Sequence, residues 1–540
     1  MSSVCELFLC FLTVNIIKGG ATRPNIVFFI ADDMGWDDVS FHGSDQILTP
    51  NIDLLAYTGV ALERYYSHCI CTPSRASLLT GKFAHVIGMQ GYPLTNAEDR
   101  ALPLGEKILP QYLKDLGYAT HLVGKWHVGQ ARAEHLPTFR GFDTHFGHRG
   151  GYIDYYEYTL LENWDEGDVS GFDLFRNMTA AWEVEGYITD VYNEEAKSII
   201  KAHDVSRPLF LMVAHNAPHS ANEGAFLQAP SDEVRAMRHI ELPQRRYYAA
   251  MVKKLDDSIG DIVKTLSEKG ILDNTIIVFV SDNGGITSQM SANYASNYPL
   301  RGLKMSPFEG GIRVNGLIWS KNLTQSNHLW KGYMHVSDWL PTLLKAVGAE
   351  SAKEIDGFDL WDNIVTNTIS KREMIVEIND YTGFYSITHN EFKLVVGSVL
   401  TSYSDHQGKQ FRGIIGKPPS YEDAIKKSKI YSVLSDNGIN FGFNETALRN
   451  KIKIKCNDLK PNQEICFPSK EKWCLFNIKE DPCEIVDLMD THSDVAKELH
   501  TKLEREIART IPRTIPHETN LKAMPKFHNY TWDIWKTSDK

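Results

Sequence analysis

The stretch from Cys71 to Gly81 combines a nucleophile, a cation and the signals of a short helix. Thr72 suits an N-cap, Pro73 suits the first helical position, and Gly81 suits a left-handed helix end. The sequence therefore predicts that Cys71 lies just outside the positive end of a helix, where free N–H groups and the Arg75 guanidinium would stabilise an anion. Such a place favours an oxyanion, a sulfate or a phosphate.

Two other interpretations of Cys71 stay open from these residues alone. A free cysteine is most often a small buried hydrophobe. A thiolate nucleophile of the tyrosine-phosphatase kind is the second interpretation. That chemistry needs a five-residue loop between cysteine and arginine, whereas three residues separate Cys71 from Arg75.

Other polar residues follow continuous apolar runs, which are typical of strands buried in a mostly parallel sheet. In open α/β sheets ligands bind beyond the carboxyl ends of the strands, so we expect these residues to meet. In an extended chain Lys125 and His127 would also point to the same side. The runs and the residues that follow them are 25–31 with Asp32 and Asp33, 120–123 with Lys125 and His127, 208–214 with His215 and His219, and 275–280 with Asp282 and Asn283.

Asp32, Asp33, Asp282 and Asn283 offer only oxygen ligands, which suit a hard cation such as Ca²⁺ or Mg²⁺ and do not suit zinc. Three carboxylates in one cleft would repel each other without a cation, so the composition of the cluster favours a metal site.

The remaining polar residues predict a site for a tetrahedral anion. Arg75, Lys125 and Lys304 would form a positive cage around it. His127 and His219 are the candidates for proton transfer.

The composition is that of an ordinary globular protein, with 540 residues, 42% hydrophobic residues and a formal net charge of -11. The negative charge argues against a nucleic-acid partner. The apolar run near the start predicts a secretory signal peptide at residues 1–21, and we expect no membrane span in the mature chain. The length predicts two domains. They are a catalytic α/β domain at residues 22–370 and a C-terminal α+β domain with an antiparallel sheet at residues 371–540.

The cysteines near the C-terminus fit the same secretory compartment. Cys456, Cys466, Cys474 and Cys483 predict two disulfides, and local loop closure favours Cys456 with Cys466 and Cys474 with Cys483. A zinc knuckle is the competing interpretation, but the spacing does not fit it. Glycosylation acceptors lie at Asn177, Asn322, Asn444 and Asn529.

Several motifs in the same order resemble the type I sulfatase family over roughly residues 24 to 365. They are Cys71-Thr72-Pro73-Ser74-Arg75 with Leu79-Thr80-Gly81, Gly124-Lys125-Trp126-His127, and Ser281-Asp282-Asn283-Gly284. Residues 299–304 and 308–311 resemble most closely the arylsulfatase B branch, whose best-known member is an N-acetylgalactosamine-4-sulfatase. The resemblance implies an alkaline-phosphatase/sulfatase-like α/β fold.

The resemblance also implies that a formylglycine-generating enzyme oxidises Cys71 to Cα-formylglycine, with Pro73 and Arg75 as the recognition signal. Cys69 does not fit this signal because position 71 is not proline. In the roles that the resemblance implies, one Ca²⁺ would be bound by Asp32, Asp33, Asp282, Asn283 and the modified Cys71. The hydrated aldehyde would be held by Arg75 and Lys125. Protons would be transferred by Asp282, His127 and His219, and the sulfate would be bound by Lys304 with His219.

The resemblance implies a lysosomal or extracellular enzyme that cleaves sulfate from a small molecule or a glycan, with sulfated N-acetylgalactosamine as the favoured substrate. Residues 150–163 and 216–223 would border the cleft. Two rival functions remain. One is a phosphodiester or phosphonate hydrolase of the same superfamily, and the other is a non-catalytic binder of sulfated glycans.

Overall fold

The computed structural model describes residues 23–165, 167–289, 291–323, 328–350, 352–439, 445–456, 464–513 and 520–537. The predicted signal peptide and the predicted glycosylation site at Asn444 lie outside these residues. Of the other three acceptors, Asn322 and Asn529 are exposed, and Asn177 is partly buried. Glycosylation stays a prediction at all four.

The described strands form two larger sheets and one hairpin. In chain order they are β1 (Asn25–Ala31), β2 (Val60–Tyr66), β3 (Ala119–Gly124), β4 (Thr144–Gly147), β5 (Thr159–Trp164), β6 (Gly167–Phe172), β7 (Phe175–Arg176), β8 (Thr179–Ala180), β9 (Leu209–Ala214), β10 (Thr275–Ser281), β11 (Gly316–Ser320), β12 (His328–His335), β13 (Met374–Asn379), β14 (Phe384–His389), β15 (Phe392–Gly397) and β16 (Cys474–Asn477).

The large sheet has ten strands in the order β12-β2-β11-β10-β1-β9-β3-β4-β7-β8. The strands β10, β1, β9, β3 and β4 are parallel to one another. The strand β11 runs antiparallel to both β10 and β2, so β2 points the same way as the central strands. The carboxyl ends of β1, β2, β3, β9 and β10 therefore lie at one edge of the sheet.

The α-helices cover the sheets. They are α1 (Pro50–Thr58), α2 (Cys71–Thr80), α3 (Leu109–Asp115), α4 (Ile188–Ala202), α5 (Ser231–Ala236), α6 (Pro243–Glu268), α7 (Glu309–Ile312), α8 (Trp339–Ala346), α9 (Trp361–Thr366), α10 (Thr401–Ser404), α11 (Tyr421–Lys427), α12 (Lys429–Asp436), α13 (Glu445–Ile452) and α14 (Ser493–Ile507). None of the described helices is both long and apolar enough to cross a lipid bilayer.

Alternate residues of β1 enter two different cores, as expected for a strand covered on both faces. Val27 and Phe29 pack in a core with residues of α1, α4 and α6. Ile26 and Phe28 pack in the opposite core with residues of α2, α3 and α8. The continuous apolar run in the sequence therefore has a physical cause, and the predicted α/β fold is confirmed.

The antiparallel sheet β13-β14-β15-β16 follows, also as predicted. One face packs on α14 through residues such as Leu499 and Leu503. The other face contributes Ile375, Val395 and Phe476 to a core that also contains Cys71. The second sheet therefore supports the segment that carries the candidate nucleophile.

The chain after residue 371 also returns to the large sheet. Ile430 and Leu434 of α12 pack in the core that contains Val27. The boundary near residue 371 stays a prediction.

The four C-terminal cysteines form two disulfides, but the predicted pairing is wrong. Cys456 pairs with Cys483 and Cys466 with Cys474, so the second bridge lies inside the loop closed by the first. Loop entropy favours short loops by only about 0.6 kcal/mol per doubling of length, which tertiary packing easily outweighs. Pairing of β16 with β15 fixes Cys474 beside Val395 and so helps to decide which cysteines meet.

Candidate active site

Cys71 is the first residue of α2, not a residue outside it as predicted from the sequence. The N-cap is Ile70, and the hydroxyl of Thr72 instead donates to the carbonyl oxygen of His127 at 3.2 Å. Gly81 ends the helix in the left-handed conformation with φ 69°, as predicted. Cys71 is thus held at the positive end of a helix dipole and is 2% exposed.

Two buried cations and two buried carboxylates form one charged group of the site. The Lys125 ammonium donates to Asp32 Oδ2 at 2.6 Å. The Arg75 guanidinium donates to Asp282 Oδ2 through Nε at 3.1 Å and Nη2 at 2.8 Å. Arg75 Nη2 also lies 3.5 Å from Asp32 Oδ2. Arg75 therefore links α2 to the carboxyl ends of β1 and β10.

A second group surrounds Asp33. Lys304 Nζ lies 2.7 Å from Asp33 Oδ1 and 2.8 Å from Oδ2. The Asn283 amide donates to Asp33 Oδ1 at 2.6 Å. Burial opposes ionisation of Asp33, but the adjacent Lys304 ammonium holds the pKa of its carboxyl below the ordinary value. Asp33 is therefore a carboxylate.

The donor set of these two groups fits a hard cation. The carboxylates of Asp32, Asp33 and Asp282 balance the cations Arg75, Lys125 and Lys304. A bound divalent ion would therefore leave the site positive and ready for an anion. Two buried oxygens, Asp32 Oδ1 and Asn283 Oδ1, have no hydrogen-bond partner among the described residues. Unused oxygen lone pairs at this depth are what a hard cation needs.

A cluster of candidate ligand atoms that lie within 4.8 Å of one another combines Asp32, Asp33 and His219. We favour the oxygen donors of the site over His219, because His219 Nε2 faces the Lys304 ammonium at 3.2 Å. A nitrogen that accepts a hydrogen bond from a lysine has no lone pair left for an ion.

His127 is buried with one ring nitrogen fixed and the other unused. Its Nε2 lies 2.9 Å from the carbonyl oxygen of Leu94, so Nε2 carries the proton. Nδ1 has no hydrogen-bond partner among the described residues. Burial and the charge of Lys125 hold the pKa of His127 well below its ordinary value. The ring is therefore neutral, with an unprotonated lone pair at Nδ1.

The sequence-based reason for placing His127 near Lys125 was wrong. The backbone at His127 is left-handed with φ 59°, so the two residues do not lie in extended chain. Hydrogen bonds from the His127 nitrogens to the carbonyl oxygens of Leu94 and Arg149 hold this conformation.

His219 lies beside Lys304. Its Nδ1 donates to the carbonyl oxygen of Ser220 at 2.6 Å, and Nε2 lies 3.4 Å from Asp33 Oδ2. The ring of Tyr152 stacks on His219, with centroids 5.6 Å apart and planes 8° apart. His219 is thus oriented by a carbonyl on one edge and a phenol ring on its face.

His215 does not join the site. It is fully buried, and its Nε2 lies 3.2 Å from the hydroxyl of Ser258 on α6. Burial lowers its pKa to about 3, which keeps the ring neutral. Its burial and its contact with Ser258 indicate a structural role.

The electrostatic surroundings of Cys71 come from both groups of charges. Burial raises the pKa of the Cys71 thiol, and Lys125 and Lys304 oppose the increase. An unmodified thiol at this position is therefore protonated at neutral pH and is a weak nucleophile. This argues against the phosphatase-like thiolate.

Sequence reasoning missed three residues that brace the site. The Ser67 hydroxyl donates to the backbone carbonyl of Asp282 at 2.6 Å. The Asn293 amide donates to the carbonyls of Asp33 at 2.9 Å and Pro218 at 3.0 Å. Glu377 of β13 accepts from His68 Nδ1 at 2.8 Å. Each is a lone polar residue with no motif around it, so no sequence signal marked it.

A buried nucleophile position, an oxygen-rich cation site and a cage of cations together define a hydrolase acting on esters of a tetrahedral anion. The profile of the sulfatase family matches residues 24–349 of the chain. The chain belongs to the sulfatase family and is a sulfatase enzyme.

Named relatives agree with this assignment. Arylsulfatase J of Mus musculus is 34% identical over 526 residues, which cover 96% of this chain and 81% of the relative. The N-acetylgalactosamine-6-sulfatase of Homo sapiens is 30% identical over 374 residues, which cover 66% of this chain and 68% of the relative. The crystal structure of Ps i-CgsB is similar, with a TM-score of 0.71, 29% identity and coverage of 96% of this chain and 100% of that one.

Proposed function

We propose that the protein hydrolyses sulfate monoesters with a formylglycine at position 71 and a Ca²⁺ ion held by Asp32, Asp33, Asp282 and Asn283. The observation that carries this proposal is the balanced cluster of carboxylates and cations at the N-terminus of α2, with two buried oxygens left without partners. An all-oxygen donor set supports Ca²⁺ over zinc.

A hydrated formylglycine supplies two hydroxyl groups on one carbon, and a calcium ion supplies positive charge for an oxyanion. The protein supplies the orientation. Arg75 and Lys125 are fixed by Asp282 and Asp32, so their charges face position 71 without reorganisation. Lys304 has three N–H donors and can turn one of them to a sulfate oxygen while it remains bonded to Asp33.

The proton transfers are assigned to specific atoms. Asp282 binds Arg75 through Oδ2, and its Oδ1, which accepts from the Asp33 N–H at 3.3 Å, would take a proton from the attacking oxygen. His219 would give a proton to the leaving alcohol from Nε2, since Nδ1 is fixed on Ser220. This requires that Lys304, which now donates to Nε2, turns to the sulfate and that Nε2 takes up a proton. His127 would take a proton at Nδ1 when sulfate is expelled, since Nε2 is fixed on Leu94.

The modification is tested by mass spectrometry of the peptide that contains Cys71, from protein made together with the formylglycine-generating enzyme. We expect an aldehyde at position 71 and an intact thiol at Cys69. A Cys71→Ala variant should carry no aldehyde, and a Cys69→Ala variant should keep it. An intact Cys71 thiol in the wild-type protein would refute the mechanism.

Activity separates this function from the phosphodiester and phosphonate hydrolases. We expect release of sulfate from a chromogenic aryl sulfate and far slower turnover of the matched phosphate monoester, phosphodiester and phosphonate. Faster turnover of any phosphorus ester would favour the rival hydrolase function.

The favoured substrate is a sulfated N-acetylgalactosamine, within an arylsulfatase B-like branch. The half-buried ring of Tyr152 on the face of His219 supports a cyclic alcohol as leaving group, because a ring surface packs well on an aromatic wall. The similarity to N-acetylgalactosamine-6-sulfatase supports the same sugar. Hydrolysis of N-acetylgalactosamine 4-sulfate is expected to exceed that of the 6-sulfate, and the reverse order would contradict the branch assignment.

The two disulfides support maturation in the secretory pathway, and the proposed destination is the lysosome or the cell exterior. A mobility shift on removal of N-glycans from the expressed protein would test entry into that pathway. If glycan removal shifts neither the wild type nor any of the four variants that each lack one acceptor site, entry into that pathway would be contradicted.

A further inference from the structure

Arg301 is a fully buried cation whose guanidinium does not reach the candidate ligands of the site. It donates through Nε to the carbonyl oxygen of Ser404 at 2.6 Å. Its Nη2 donates to the carbonyl oxygen of Cys466 at 2.6 Å, and Nη1 to that of Glu484 at 3.2 Å. Its plane lies over the ring of Phe308, 4.0 Å from the centroid. The planar fork of an arginine thus joins three separate backbone segments.

The disulfides cross-link two of these three segments to neighbouring parts of the chain. Cys466 is bonded to Cys474, and Cys483, which precedes Glu484, is bonded to Cys456. The backbone adds a further tie, because the N–H of Gly302 donates to the carbonyl oxygen of Asp405 at 3.0 Å. Arg301 and Gly302 therefore tie their turn to residues 404–405 and to the disulfide-linked segments at Cys466 and Glu484.

The other end of the same turn enters the active site. Lys304, three residues later, bonds Asp33 and lies 3.2 Å from His219 Nε2. Its backbone N–H donates to the carbonyl oxygen of Gly285 at 3.1 Å, and the next N–H, of Met305, donates to that of Cys69 at 2.9 Å. A lysine side chain is flexible and does not fix its own ammonium group. The position of its Cα therefore sets the region that the ammonium can reach.

Burial of a guanidinium is costly, and a hydrophobic side chain would fill the same space more cheaply. Burial lowers the pKa of Arg301 to about 10, so the group stays charged at neutral pH. Since its acceptors are three carbonyls from distant segments, its geometric function is to fix their positions relative to its own turn.

We propose that Arg301 is a positioning residue that sets Lys304 against the sulfate by fastening its turn to the disulfide-linked C-terminal segment. The proposal rests on the proposed function, in which Lys304 binds the sulfate group. The disulfides thereby contribute to substrate affinity as well as to stability.

The test is a double-mutant cycle between Arg301→Lys and Lys304→Met, measured with the aryl sulfate and with inorganic sulfate as inhibitor. A lysine at 301 keeps the charge but cannot form the three-way fork. We expect Arg301→Lys alone to raise KM and the inhibition constant of sulfate together, by about tenfold to a hundredfold, as a misplaced binding group does. On the Lys304→Met background the same change should alter both constants by less than about twofold, because interacting residues are not additive.

Arg372→Lys is the matched control, because Arg372 is also buried and links Asp338 to the carbonyl of Asp356 away from the site. It should lower the unfolding temperature without changing KM. The Cys466→Ala/Cys474→Ala variant gives a second route, which leaves Arg301 intact and loosens its acceptor. It should raise KM and the sulfate inhibition constant in the same direction.

The outcomes separate this inference from the proposed function. Unchanged KM and sulfate inhibition in Arg301→Lys, or an undiminished effect on the Lys304→Met background, would overturn the positioning role while sulfatase activity stands. An inactive, fully folded wild type with an unmodified Cys71 would overturn the proposed function and this inference with it. If Arg301→Lys fails to fold, an unchanged KM in the cysteine variant overturns the positioning role.

Discussion

The ion pair between Asp33 and Lys304 makes the sharpest prediction about the site. Both residues are buried, and the ammonium lies 2.7 Å from the nearer carboxylate oxygen. At an effective dielectric constant of about 20 their Coulomb attraction is about 6 kcal/mol. Asp33→Asn would leave the Lys304 charge buried without its counter-ion, so we expect a loss of about 3–5 kcal/mol in the free energy of unfolding.

The measurement is denaturant unfolding in the presence of a chelator, which separates the ion pair from any metal contribution. Fluorescence and circular dichroism should be recorded together, since coincident transitions justify a single free energy. The double variant Asp33→Asn/Lys304→Met removes both charges, and its loss should be smaller than the sum of the two single losses by about 2 kcal/mol.

Asp115→Asn is the matched control, since Asp115 pairs with Lys107 at 2.6 Å on the exposed surface. Its expected effect is about 0.5 kcal/mol or less. The reasoning is refuted if Asp33→Asn costs no more than this control, or if the two single losses simply add in the double variant.

Three further predictions concern metal, pH and cross-links. Addition of a chelator should lower the free energy of unfolding of the wild type, and Ca²⁺ at about a hundred times its dissociation constant should restore about 2.7 kcal/mol; no response to Ca²⁺ would contradict the cation site. Burial raises the pKa of Asp256 to about 8, so the folded state keeps a proton that the unfolded chain releases above its own pKa near 4, and stability falls as pH rises through this window. From pH 5 to 7 this group should cost about 2.7 kcal/mol, and Asp256→Asn should remove that part of the pH dependence in denaturant unfolding; equal slopes in both proteins would disprove it. Cys456→Ala/Cys483→Ala opens a loop with a sequence separation of 27 residues. The variant should lose about 3.5 kcal/mol of unfolding free energy in the chain-entropy model, whereas a loss below about 1 kcal/mol would argue against the observed pairing.

The strands β1, β3, β9 and β10 of the large sheet were predictable because their cause is local. The runs that became β1, β9 and β10 are apolar at every position except the strand termini Asn25, Thr275 and Ser281, a pattern that a strand covered on both faces requires. The end of α6 also has a local cause, because Gly270, with φ 76°, follows its C-cap Lys269. Those strand ends were enough to predict which polar residues would share one edge of the sheet.

The sequence by itself thus determined the α/β fold and the polar residues that follow the carboxyl ends of its predicted strands. It also determined the candidate nucleophile and the charged residues expected around it. Only the tertiary structure decided which charges pair, since Lys125 could have met any of the three carboxylates and lies against Asp32. It also decided the disulfide pairing, the left-handed turn at His127 and the anchoring of Arg301. These depend on contacts between segments far apart in the chain, whose energies no local pattern of residues encodes.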